Sequence, residues 1–127
     1  MSRISRTFIV MAIAYACIGV AMGIWMGINQ DFTHMHLHAH INLIGWASLA
    51  LFGVIYHVAP QLAQSKLANI QLLLSGLGTA IFLVGLPLAD AGITIFLAVT
   101  GSLMVLAGTV LFLWIFVTQT RTQSQPA

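Results

Sequence analysis

Long apolar runs separated by brief polar breaks occupy nearly the whole chain. Thr7 to Ile28 carries no formal charge and exceeds the about 20 apolar residues needed to cross a hydrocarbon core. The polar turn Asn29-Gln30-Asp31 closes it. The next run, from His34 to Val58, is apolar apart from its histidines, and Pro60 marks its end because proline cannot continue the helical ladder. A third follows Lys66 to about Leu86, where Pro87 and Ala89-Asp90-Ala91-Gly92 read as a turn. A fourth runs from Ile93 to Val117, and the tail TQTRTQSQPA is expected to fray. The pattern predicts helices at 7–28, 34–58, 67–86 and 93–117 in one domain, 1–127, an all-α integral membrane four-helix bundle.

Composition narrows the solvent. With 60% hydrophobic and 5% charged residues the chain lacks the polar surface of a water-soluble globule, so membrane lipid is its expected surrounding. The basic preface Arg3 and Arg6 resembles a signal-peptide start, but the apolar stretch behind it is too long for an h-region and has no clear cleavage site. The first helix is therefore expected to be retained. Four dispersed basic residues are too few for nucleic-acid recognition. The single cysteine, Cys17, has no partner for an intrachain disulfide and reads as a small packing residue.

Charge placement gives an orientation. Arg3, Arg6, Lys66 and Arg121 fall on one side of the predicted spans, and Asp31 and Asp90 on the other. The positive-inside rule then puts both termini in the cytoplasm and the outer loops on the periplasmic side of an inner (plasma) membrane. Gly19, Gly23 and Gly27 recur every four residues, a spacing that lets helices approach closely, either within the subunit or between subunits.

Chemistry is concentrated at the outer end of the second helix. His34, His36, His38 and His40 occupy every second position, with Met35 among them. Ionisable side chains at membrane depth are costly unless paired, metal-bound or facing a wet cavity, so the cluster is a functional-site candidate. At about 100° per residue a continuous helix puts His36 and His40 on one face and His34 and His38 nearly opposite. An extended stretch before His38 would instead line them up. His57 lies seventeen residues beyond His40, about 25 Å along a helix axis, too far to join the cluster. It reads as an interfacial histidine, with a second haem or metal site as the alternative. Imidazole suits haem iron, copper and zinc alike, and Met35 adds a soft ligand for Cu(I).

The stretch His38-Ala39-His40-Ile41-Asn42-Leu43-Ile44-Gly45-Trp46, continued through Leu51-Phe52-Gly53-Val54-Ile55-Tyr56-His57-Val58-Ala59-Pro60, resembles the second helix of the haem-copper oxidase superfamily, especially the catalytic subunits of nitric oxide reductases. The resemblance implies a low-spin haem b with His40 as axial ligand, His38 and His36 as adjacent candidates, Gly45 giving clearance for the ring and Trp46 packing near it. Gly45 reads equally well as a helix-packing glycine, and Trp46 as an aromatic at interfacial depth. The family's later helices are missing, and residues 67–117 contain no histidine. A complete oxidase or reductase centre is therefore not expected from this chain alone. A second axial ligand is expected from another copy, giving a homo-oligomer with the cofactor at or near the helix 2 interface.

The leading expectation is thus a haem b membrane protein for electron transport with a redox partner, or for sensing a diatomic gas. The alternatives are a copper or zinc module built on His34, His36, His38, His40 and Met35, and a non-catalytic assembly subunit whose histidines respond to pH. Hydrolytic, nucleotide-dependent and glycosidase chemistry lack any supporting motif.

Overall fold

The computed structural model describes residues 1–123, nearly all of them helical. Four helices are long and apolar enough to cross a membrane: α1 (Arg3–Asn29), α2 (Met35–Val58), α3 (Lys66–Asp90) and α4 (Phe96–Gln123). They fit a multi-pass membrane protein. A short 3₁₀ turn, Pro60–Gln64, links α2 to α3.

Local chemistry shifts the helix ends away from the hydropathy bounds. The first helix begins at Arg3 rather than residue 7, because the Ser2 hydroxyl accepts from the Ser5 N–H and satisfies one of the free donors of the first turn. It closes at Gln30, which adopts the left-handed conformation at φ 51°. Pro87 does not end α3, which continues to Asp90. The ring forfeits the hydrogen bond to the Leu83 carbonyl and crowds it, while the turn beyond is closed by the Ala91 N–H donating to the Pro87 carbonyl at 3.0 Å. The start of α4 is later than residue 93: Thr94 Oγ1 accepts from the Phe96 N–H, so Ile93 and Thr94 belong to the turn. The tail through Gln123 is helical rather than frayed, and Thr118, Thr120 and Thr122 each donate to the carbonyl four residues back. Threonine hydroxyls can meet their hydrogen-bonding need this way without leaving the helix. Residues 124–127 of the predicted tail lie outside the described residues.

The helices form two antiparallel hairpins. In the first, Gly19 of α1 lies against the Asn42 side chain and Gly23 against the His38 ring, while Gly45 and Gly53 of α2 receive Tyr15 and Phe8–Ile9 of α1. Gly19 and Gly23 therefore serve packing within the subunit, and Gly27 faces open space. Cys17 is exposed on α1 and is not a packing residue. The second hairpin is tighter. Gly78 and Gly85 of α3 meet Gly101, Met104, Val105, Leu97 and Ala98 of α4, and Gly108 lies on Ser75. Small residues let backbones meet where lipid supplies no hydrophobic drive between helices.

The hairpins join most firmly at the end that carries Arg3, Arg6, Lys66 and Arg121. Phe8, Phe52, Tyr56 and Phe112 stack there, with ring centroids 4.7 Å apart for Phe52–Phe112 and 5.9 Å for the nearly parallel Phe8–Tyr56 pair. Ser5 Oγ donates to the Gly53 carbonyl at 2.8 Å, and Tyr56 donates to Gln71 Oε1 at 3.2 Å. Gln71 Nε2 in turn donates to Ser75 Oγ at 3.0 Å. Hydrogen-bonded pairs of this kind tie helices together where water is absent. At the opposite end, where the histidines lie, a smaller cluster forms around Ile41, Phe82 and Leu83.

Candidate functional site

The loop into α2 is set by Asp31. Its carboxylate accepts from both the Thr33 hydroxyl and the Thr33 N–H, which hold its pKa below the usual carboxylate value; the neighbouring His34 adds to the effect. His34 follows at the mouth of the helix with φ −102° and ψ 29°, exposed and making no capping bond. Met35, half-way out at 54% exposed, opens the helix itself.

From Met35 onward the backbone is helical, so the histidines divide by face, as their spacing in a continuous helix requires. His38 turns toward α1. Its ring lies over Gly23, where a Cβ would come 2.9 Å from its Cε1, and its Nδ1 is buried without a hydrogen-bond partner. His40 turns toward α3, meeting Phe82 edge-on with centroids 5.2 Å apart and planes at 66°. His36 precedes His40 by one turn and is exposed. Among the described residues no three His, Cys, Asp or Glu side chains gather closely enough to hold a metal ion. The set His34, His36, His38, His40 and Met35 is thus spread over different faces of one chain.

One contact defines the chemistry of His40. Its Nδ1 lies 2.8 Å from the His36 carbonyl oxygen. A carbonyl can only accept, so this contact is a hydrogen bond only when Nδ1 carries the proton. In the neutral ring that fixes Nε2 as the atom with the free lone pair. A backbone carbonyl on the far nitrogen is also the usual device for orienting a metal-binding imidazole and raising its basicity.

Directly below His40 the helix widens. Ile41–Ser48 forms a π segment, in which hydrogen bonds reach back five residues, and Ser48 Oγ repeats the step by donating to the Leu43 carbonyl at 2.8 Å. Asn42 Nδ2 donates to the His38 carbonyl at 2.9 Å, while its Oδ1 lies against Gly19. π segments of this kind cluster at functional sites. His38, Asn42, Gly45 and Gly53 lie along the seam with α1. Gly45 is buried beneath Tyr15, so within the subunit its clearance admits that ring. Trp46 points outward at 41% exposed. His57 lies exposed in the last turn of α2, at the opposite end from the cluster.

Several contributors were not singled out from sequence. Tyr15 and Phe82 enter the site through tertiary packing alone. Gln71, Ser75 and Thr79 form a buried polar stripe on α3, with exposures of 0%, 1% and 0%. Their four-residue spacing inside an apolar run was the available signal.

Comparison of the chain with family models, curated proteins and solved structures gives no match.

Proposed function

We propose that this chain is a b-type haem-binding membrane protein that transfers electrons or binds a diatomic gas, acting as a homo-oligomer with haem near the α2 interface. The observation that carries the reading is the His40 Nδ1 to His36 carbonyl contact at 2.8 Å, which leaves Nε2 as the free ligand atom. The resemblance of residues 38–60 to the haem-bearing helix of nitric oxide reductases supports the same histidine. A haem would be held through His40 of one chain and an imidazole of another copy, and so would not need several ligands gathered on one chain.

In this reading His40 would hold the haem iron, and Phe82 packs edge-on against its ring. His36 acts through its carbonyl and, being exposed, is the ligand available to a second copy. Haem supplies one-electron redox chemistry or gas binding according to whether its sixth position is filled. The basic end lies in the cytoplasm by the positive-inside rule, which puts the histidine cluster on the periplasmic side of the inner membrane.

The test is a visible spectrum of the purified protein, oxidised and dithionite-reduced, with metal analysis on the same sample after haem-supplemented expression. A sharp reduced b-type band with stoichiometric iron, lost in His40→Ala and kept in His57→Ala, is the expected result. A colourless protein containing copper or zinc would replace this reading with the metal module. A colourless, metal-free protein would leave an assembly role.

A further inference from the structure

The basic end of α1 carries a second feature, separate from the histidines. Arg3, Arg6, Thr7, Val10 and Met11 line a groove of about 380 Å³, within the roughly 300–1,000 Å³ range of small-ligand sites. Its chemistry is graded along the helix. Two arginines come first, at the polar end of the helix, then Thr7, then the apolar Val10 and Met11. Val10 is 58% exposed, whereas Met11 is braced against Gly76 of α3.

The two arginines are differently held. Arg3 donates from one terminal nitrogen to Asn69 Oδ1 at 3.0 Å, which fixes it over the α1–α3 boundary and leaves its other donors free. The Arg6 side chain makes no hydrogen bond or ion pair with any described residue. Both acids of the chain, Asp31 and Asp90, are at the other end of the helices. Among the described residues no acidic side chain lies at this end, so the two arginines are doubly positive beside the apolar Val10 and Met11 of the same spanning helix.

We propose that this groove binds an anionic phospholipid, with its headgroup phosphate between Arg3 and Arg6 and an acyl chain along Val10 and Met11. Guanidinium groups match phosphate oxygens in bidentate geometry, and basic pockets between spanning helices select acidic headgroups. The apolar depth below the arginines is what favours a lipid over free phosphate, since a free anion has no use for it. The inference is independent of the haem reading.

The experiment is exchange of spin-labelled phosphatidylglycerol against phosphatidylcholine around the full chain in bilayers, read as the relative association constant of the immobilised component. Arg6→Gln is the primary variant because it breaks no bond within the chain. It is expected to lower selectivity for phosphatidylglycerol about fivefold, and Arg3→Gln with Arg6→Gln about thirtyfold, from the usual contribution of one basic residue near an anionic surface. Val10→Trp keeps both charges but fills the groove, and is expected to remove the immobilised component. Lys66→Gln, at the same end but outside the groove, is expected to leave it within about twofold. The proposal is overturned if Arg6→Gln loses no more than Lys66→Gln, if Val10→Trp binds as the parent does, or if inorganic phosphate displaces the labelled lipid completely.

Discussion

Replacing Gly101 by alanine tests the tightest seam in the molecule. A Cβ at this position would fall 2.6 Å from Phe82 Cα and closer still to its backbone nitrogen, whereas ordinary contact begins at 3.4 Å. The obstacle is helix backbone, which no rotamer change relieves, so α3 and α4 must part locally by at least 0.8 Å, the difference between those two distances. A gap of that size forfeits a quarter to a half of the dispersion well for each atom pair across it. With about twenty-five such pairs at ~0.15 kcal/mol, the loss is ~1–2 kcal/mol, in line with the ~1–3 kcal/mol seen for overpacked cores. Gly→Ala also raises helix propensity by up to about 1 kcal/mol, which would mask part of the effect. The control is Gly27→Ala, where nothing lies within 4 Å of the added methyl. Reversible unfolding of both variants in mixed micelles, by titration with a denaturing detergent, measures the difference with much of the propensity term removed. Gly101→Ala should be the less stable by ~1–2 kcal/mol, a factor of about five to thirty in the folded ratio. Equal stabilities within about 0.5 kcal/mol would show that the glycines of α3 and α4 do not set helix separation, and would refute the packing argument.

Thr79→Val should stabilise the protein by ~1 kcal/mol in the same assay, because the Thr79 hydroxyl is buried without a partner and its removal ends a desolvation cost. Tyr56→Phe should do the reverse, losing ~1 kcal/mol as Gln71 Oε1 is left without its donor. Asp31, read by carboxyl NMR, should titrate below an ordinary aspartate, and Thr33→Ala should bring it back up. Because its folded pKa is depressed, its contribution is complete above the unfolded value of about 3.9 and is lost as pH falls through the folded value. Gly23→Ala should displace the His38 ring, whose Cε1 lies 2.9 Å from the new methyl, and leave the haem spectrum unchanged if His40 is the ligand. A spectrum that moves with Gly23→Ala and not with His40→Ala would transfer the ligand role to His38.

Hydropathy was enough to count the spanning helices and to locate the histidine cluster, because an apolar run long enough to cross a bilayer must close its own backbone hydrogen bonds as a helix. Spacing alone also divided the four histidines between faces, since that follows from 3.6 residues per turn once the stretch is helical. Helix ends were less legible. Pro87 stays inside α3, and local hydrogen bonds to which hydropathy is blind start α4 late at Thr94 and carry it onward through Thr118, Thr120 and Thr122. What only tertiary structure decided was the partner of each face: His38 on Gly23, His40 on Phe82, Tyr15 over Gly45 and Arg3 on Asn69. Helix period says which residues look the same way, but not which neighbouring helix stands there. The π segment below His40 was equally hidden, because hydrogen bonds that reach back five residues instead of four leave no mark in the apolar pattern of residues 41–48.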